Sequence, residues 1–168
     1  MSSQQPLDAL YRRPAFLMRR VHQVAIALFD EECAKFGVTN TQHGLLQAIQ
    51  STAGIDVVGA ARLVGIDRTT AHVAVANLER NGWIKKTKNP ADRRSYLLSI
   101  TAAGTKLLRD SQIAINRAQT RLLRNVSAQE IETLVDILQR IAPGFPLNSS
   151  LPVATSPSAR PRRQKACV

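Results

Sequence analysis

Between Arg62 and Arg94 the sequence carries eight basic residues, Arg62, Arg68, Arg80, Lys85, Lys86, Lys88, Arg93 and Arg94, against three acidic ones, Asp67, Glu79 and Asp92. Cations at that density attract a polyanion, and guanidinium and ammonium groups hold phosphate oxygens through charge-assisted hydrogen bonds. Side chains that can read bases stand among them. Arg68 suits guanine and Asn77 adenine, while Thr69, Thr70 and His72 can meet phosphates or base edges, with Val73 on the same stretch. The net charge of the whole chain, +11, points the same way but does not by itself separate nucleic acid from an acidic membrane.

Other chemistry is poorly supplied. The three histidines, His22, His43 and His72, lack metal-ligand spacing, and no G-x-S-x-G, P-loop, H-E-x-x-H or dinucleotide glycine pattern occurs, so neither an enzyme nor a bound cofactor is expected. Cys33 and Cys167 form no C-x-x-C pair. Cys33 falls late in a predicted helix beside Phe29, Ala34 and Phe36, where apolar surroundings, with Glu31 and Glu32 nearby, would keep its thiol protonated. The longest clean apolar run, Val24 to Phe29, is far short of the ~20 residues that span a bilayer, which predicts a cytoplasmic protein without a membrane partner.

These residues need elements to position them. Apolar residues at helical spacing from Ala15 to Phe36 (Leu17, Val21, Val24 and Leu28, with Met18, Ala25 and Phe29 beside them) predict a first helix, closed by Gly37. Two polar breaks interrupt the apolar faces: His22, in line with Met18, Ala25 and Phe29, and His43, beside Leu46. Thr39 and Gln42 have capping-box spacing for a second helix reaching Ser51. Asp56 caps a third that carries Val57, Val58, Ala61 and Leu63 and ends at Gly65. Asp67 caps a fourth, Arg68 to Arg80, whose inward face is Ala71, Ala74, Val75 and Leu78.

Residues 83–88 and 95–100 then read as strands around the turn-rich Asn89-Pro90-Ala91-Asp92-Arg93-Arg94, a hairpin with a basic tip. Thr101 caps a long helix to about Arg124, with Leu107, Leu108, Ile115, Ala118, Leu122 and Leu123 apolar. Ser127 and Glu130 open a last helix with Ile131, Leu134, Val135, Leu138 and Ile141 inward. The fold expected is mainly α with a small β-hairpin wing, a winged helix-turn-helix. From Pro143 the composition turns to Pro, Ser and Ala with Arg160, Arg162, Arg163 and Lys165 and no acid, the signature of a disordered basic tail over 143–168.

Asp92-Arg93-Arg94-Ser95-Tyr96-Leu97-Leu98-Ser99-Ile100-Thr101 with Gly104 resembles the wing signature of the MarR regulators, with Ile100 where leucine is commoner. The similarity runs from about Phe16 to Ile141 and includes Leu78-Glu79-Arg80-Asn81-Gly82-Trp83-Ile84. The resemblance implies a homodimer in which the first, fifth and sixth predicted helices interlock. Residues 8–36 and 101–142 would form the dimerisation region and 37–100 the DNA-binding domain. It implies double-stranded DNA as partner, with Arg94 in the minor groove, Asp92 holding its guanidinium, Lys88 on the same wing, and Arg93 either on a phosphate or solvated. It further implies a repressor released by a small effector, an aromatic acid or its coenzyme A thioester. Arg19, Arg20, His22 and His43 are the candidates to bind that effector, the arginines by charge. Two other readings stay open: an oxidation sensor acting through Cys33, and an architectural DNA binder without sequence preference.

Overall fold

The computed structural model describes residues 5–90, 92 and 94–142. They form two compact units, one through Ser127 and one from Ala128. In order, the first contains α1 (Gln5–Tyr11), α2 (Pro14–Cys33), a 3-10 turn (Ala34–Phe36), α3 (Asn40–Ser51), α4 (Val57–Val64), α5 (Arg68–Arg80), β1 (Ile84–Lys88), β2 (Tyr96–Ile100) and α6 (Ala102–Leu122); the second contains α7 (Ala128–Ile141). The mainly helical winged fold expected from the sequence is present.

Local chemistry sets the boundaries. Thr39 and Gln42 close a reciprocal capping box on α3, Asp56 accepts from Gly59 N on α4, Asp67 from Thr70 N on α5, and Thr101 from Gly104 N on α6. Each such cap contributes about 1 kcal/mol. Gly37 and Gly65 close the elements before them at φ 63° and 72°, left-handed values that are unfavourable for a residue with a Cβ.

The N-terminal region departs from expectation. The helix expected over Ala15 to Phe36 is present as α2, but residues 8–36 hold two helices rather than one: α1 ends at Tyr11 and α2 starts at Pro14, because proline has no N–H to give and forces Arg13 to the extended values φ −86°, ψ 118°. Only Phe29 and Cys33 of α2 are buried, and the stripe of Leu17, Met18, Val21 and Val24 is exposed. Leu63 of α4 also points out, at 62% exposure. On α7, Leu134, Val135, Leu138 and Ile141 are exposed rather than inward, and no residue of that helix is buried. These apolar stripes have the periodicity of core faces, which is why the sequence marks them as such, yet the single chain leaves them uncovered. The tail expected over 143–168 lies outside the described residues.

The core of the first unit gathers Leu45 and Leu46 of α3, Val75 and Leu78 of α5, Ile84 of β1 and Leu98 of β2, each at most 2% exposed. Burying side chains of this size contributes about 1.5–3 kcal/mol each. Helix α2 lies along α6, and α3, α4 and α5 pack together against the hairpin. The antiparallel register pairs Ile84 with Ile100 and Lys88 with Tyr96. Leu98 N donates to Ile55 O at 2.8 Å, which ties the hairpin to the start of α4.

At the root of the wing, Thr101 donates through its hydroxyl to Gly82 O (2.7 Å) and through its amide to Trp83 O (3.0 Å). Gly104 is buried against the same carbonyl: a Cβ there would lie 2.2 Å from Trp83 O. The threonine and glycine of the wing signature thus clamp the start of α6 onto the turn between α5 and β1.

Candidate nucleic-acid interface

Because Ala71, Ala74, Val75 and Leu78 face the core, the opposite side of α5 is presented outward. Arg68, Thr69, Thr70, His72 and Val73 are all exposed, Val73 by 60%, and Asn77 is half-buried at the margin. Arg68 Nε donates to His72 Nε2 at 3.4 Å, one turn along the helix, so these two form a unit. Thr70 is occupied differently: its amide and hydroxyl both donate to the Asp67 carboxylate, at 2.9 and 2.6 Å. The hydroxyl bond foremost, and the amide bond after it, hold Asp67 below the usual carboxylate range. Thr70 therefore belongs first to the helix cap, leaving the exposed side chain of Thr69 as its freer neighbour.

The wing turn is held by its own polar groups. Asn89 N donates to Ser95 O (3.1 Å), Asn89 Nδ2 to Ser95 Oγ (3.0 Å), and Ser95 N to Asp92 O (3.0 Å). The Asp92 carboxylate accepts from the backbone amide of Arg94 at 3.0 Å. The family resemblance implies that Asp92 holds the Arg94 guanidinium, whereas in this conformation it holds the arginine's main chain, a short-range turn bond that an aspartate two residues upstream makes readily. Arg94 and Lys88 are exposed. Arg93 lies outside the described residues.

Between α5 and the wing runs a cleft of about 540 Å³ lined by Arg68, His72 and Glu79 of α5, Lys86 of β1, Arg94, Ser95 and Tyr96 of the wing, and Asp56, Val57 and Val58 at the start of α4. Three of the cluster's cations thus converge on one concave surface. Two acids share it, but Asp56 is spent on its helix cap and Glu79 pairs with Lys86 at 2.6 Å, which fixes the ammonium in place. The sequence marks Lys86 only as one of eight cations, Glu79 and Tyr96 only within family runs and Asp56 only as a helix cap, and it places none of them in a cleft beside α5. Only the packing of α4 and β1 beside α5 brings them to the cleft, and no spacing along the chain signals it.

A second cavity, of about 370 Å³, lies among α2, α3 and α6, lined by Ala25, Phe29, His43, Gly44 and Ile115 with the amides of Asn40, Gln47, Gln112, Asn116 and Gln119. His43 is 5% exposed, its ring tilted against Phe29 with centroids 5.8 Å apart, and burial pushes its pKa down. Its Nε2 is buried without a hydrogen-bond partner among the described residues. Of the four residues singled out for an effector, His43 alone lines this cavity. Arg19 and His22 are exposed on α2, and Arg20 is turned to α1, donating to Tyr11 Oη (2.6 Å) with its guanidinium 5.0 Å from that ring's centre.

Cys33 is fully buried. Burial first, then Glu32 and Asp30, push its pKa up, against the opposing pull of Arg117. A protonated thiol without solvent access is a poor nucleophile for peroxide. Among the described residues no group of three or more potential ligands could hold a metal, and no helix is long and apolar enough to cross a membrane.

The same arrangement recurs in known proteins. The model of the MarR family matches residues 36–95, the span of α3 through the wing turn. The putative transcriptional regulatory protein for the hcr operon of Thauera aromatica is 31% identical over 105 residues, which cover 62% of this chain and 63% of that relative, somewhat less than two thirds of its length. A probable transcriptional regulator from Pseudomonas aeruginosa is 30% identical in its crystal structure, with a TM-score of 0.73 over 79% of this chain and 98% of the other. The PcaV transcriptional regulator of Streptomyces coelicolor, crystallised with its natural ligand, is also 30% identical, with a TM-score of 0.70 over 79% of this chain and 94% of its own. With the winged helix-turn-helix matched by the family's model and nearly whole regulators superposed on the chain, the protein belongs to the MarR family of transcriptional regulators.

Proposed function

We propose that the chain acts as a homodimer that binds an inverted-repeat operator and represses transcription until a small aromatic effector releases it. The observation that carries the DNA reading is the cleft that sets Arg68, Lys86 and Arg94 around one concave surface beside the outward face of α5. In this reading the N-terminal half of α5 enters the major groove, where Arg68, Thr69, His72 and Val73 meet base edges and Asn77 lies at the margin. Arg94 enters the adjacent minor groove, with Lys88 and Arg93 near the backbone. A planar guanidinium suits a narrow, negative groove, and the Asp92 bond to the Arg94 amide aims the residue by fixing its main chain.

One short recognition helix reads few base pairs, whereas two related by a twofold axis read half-sites about 34 Å apart. The exposed apolar stripes of α2 and α7 are the surfaces that would pair, consistent with dimerisation through residues 8–36 and 101–142. The effector reading rests on the cavity beside His43, and PcaV, a relative 30% identical, has a natural ligand. Release follows if a ligand wedged between α3 and α6 alters the spacing of the two recognition helices.

Fluorescence-anisotropy titration of Arg94→Ala on the DNA upstream of the protein's own gene tests the groove contact. At fixed salt the binding free energy should weaken by about 1–3 kcal/mol. An unchanged isotherm would remove the wing from the interface.

A further inference from the structure

The cavity beside His43 has an apolar floor and a polar rim, and the two differ in a chemically decisive way. Ala25, Phe29 and Ala118 supply the floor, whereas Asn40, Gln112, Asn116 and Gln119, all exposed, supply amides at the mouth. Two of these amides are already ordered, Gln112 Nε2 donating to Asn116 Oδ1 at 2.9 Å. None of the residues lining the cavity is a lysine, arginine, aspartate or glutamate. The nearest cations on α6, Arg117 and Arg121, are committed elsewhere, to Glu32 and to Glu31 with Glu32 at 2.8–2.9 Å. Arg20, the cation expected to meet a carboxylate, is held by Tyr11 on α1.

Two further groups border the cavity, the N-terminus of α3 and His43, and neither brings a full positive charge. The first turn of α3 uses Gln42 N in its own capping box, Thr39 N donating to Gln42 Oε1 and Gln42 N to Thr39 Oγ1. Burial lowers the pKa of His43 and so favours its neutral form, and a neutral imidazole offers one donor and one acceptor and no charge. A carboxylate moved from water into such a site loses hydration without gaining a counter-ion among the described residues, a cost that a neutral group with the same outline escapes. Amides, by contrast, both donate and accept, and pair well with a carbonyl or a hydroxyl.

We propose that this cavity takes the aryl group of its effector in uncharged form, as an amide, ester or thioester of an aromatic acid rather than as the free carboxylate. The inference rests on the effector reading above and narrows it, since the family resemblance allows both the acid and its thioester. Recognition would come from the aromatic wall of Phe29 and His43 on the ring and from the rim amides on the neutral carbonyl.

Matched probes test it. Calorimetric titration of the full-length protein with benzamide, methyl benzoate and benzoate at pH 7.5 should show both neutral probes binding at least about tenfold tighter than the anion. Gln119→Arg, which adds a cation at the exposed rim, should reverse that order. Benzoate binding the unmodified protein as tightly as the neutral pair, or no neutral probe binding at millimolar concentration, overturns the inference. DNA release measured on the same samples separates the two claims. Neutral probes that bind but leave the DNA complex intact contradict the effector reading while upholding the cavity's preference. Release by benzoate with no neutral preference upholds the effector and contradicts the preference.

Discussion

Replacing Gly104 by alanine adds one methyl group at the point where the start of α6 meets the wing. Its Cβ would sit 2.2 Å from Trp83 O and 2.8 Å from Ile100 Cγ1, where ordinary contact begins at 3.4 Å. The obstacle is backbone, so no side-chain rotation relieves it. The Trp83 carbonyl must move away, and with it the hydrogen bond it accepts from Thr101 N. Overpacking of this kind costs about 1–3 kcal/mol, and the weakened hydrogen bond adds about 1 kcal/mol. Against that, alanine gains up to about 1 kcal/mol over glycine inside a helix. The net expectation is a loss of about 1–3 kcal/mol, or about 2–4 °C in Tm for each kcal/mol in a chain of this size. Thermal unfolding at one fixed protein concentration measures it, since any self-association makes Tm depend on concentration. Gly44→Ala is the control, because its Cβ would meet only the Val64 side chain, at 3.2 Å, and should stay within about 1 kcal/mol of the unmodified protein. A Gly104→Ala protein as stable as the original, with unchanged DNA affinity, would refute the clamp.

Other outcomes follow from single groups. Asp67→Ala removes the cap of α5 and should cost about 1 kcal/mol in denaturant unfolding, with weaker DNA binding because the N-terminal turn of that helix frays. Glu32, held below its ordinary value of 4.5 chiefly by its bond to Arg121, and Asp67, held below 3.8 chiefly by Thr70, contribute stability that is present above those values and lost as pH falls through the folded ones; Glu32→Gln should flatten the acid limb of a stability-versus-pH curve. His43 has the opposite charge type but the same sign of linkage, because burial lowers its pKa from 6.5. Its contribution is intact above pH 6.5 and declines below it as the unfolded chain takes up the proton first, and His43→Phe should remove that slope. Truncation after Pro143 deletes four cations and should flatten the salt dependence of DNA binding by up to about 0.9 for each phosphate the tail neutralises, without changing operator choice.

The caps at Thr39, Asp56, Asp67 and Thr101 and the stops at Gly37 and Gly65 were legible because each is a bond or a dihedral set within a few residues. The outward face of α5 was legible for a related reason: once Ala71, Ala74, Val75 and Leu78 mark the inside, helical periodicity leaves one other side. Helix α1 escaped because seven mixed residues carry no apolar repeat, and the break at Pro14 was hidden behind the strong pattern that follows it. The far wall of the cleft, with Lys86 paired to Glu79, depends on how α4 and β1 lie against α5, which no local spacing encodes. Arg19, Arg20 and His22 group with His43 in the sequence because polar residues interrupt apolar faces at both places. Periodicity gives a residue's side of its own helix, however, and not which neighbour that side meets, and the structure leaves those three off the cavity that His43 lines.

Sequence-specific recognition by paired winged helices can be tested by selecting binding sites from a pool of random duplex DNA with the full-length protein. The expected result is enrichment of an inverted repeat whose half-site centres lie about 10–10.5 base pairs apart, bound roughly 10³-fold or more tighter than random duplex at physiological salt. A pool that stays unenriched while binding DNA tightly would contradict it and leave an architectural binder that reads charge alone.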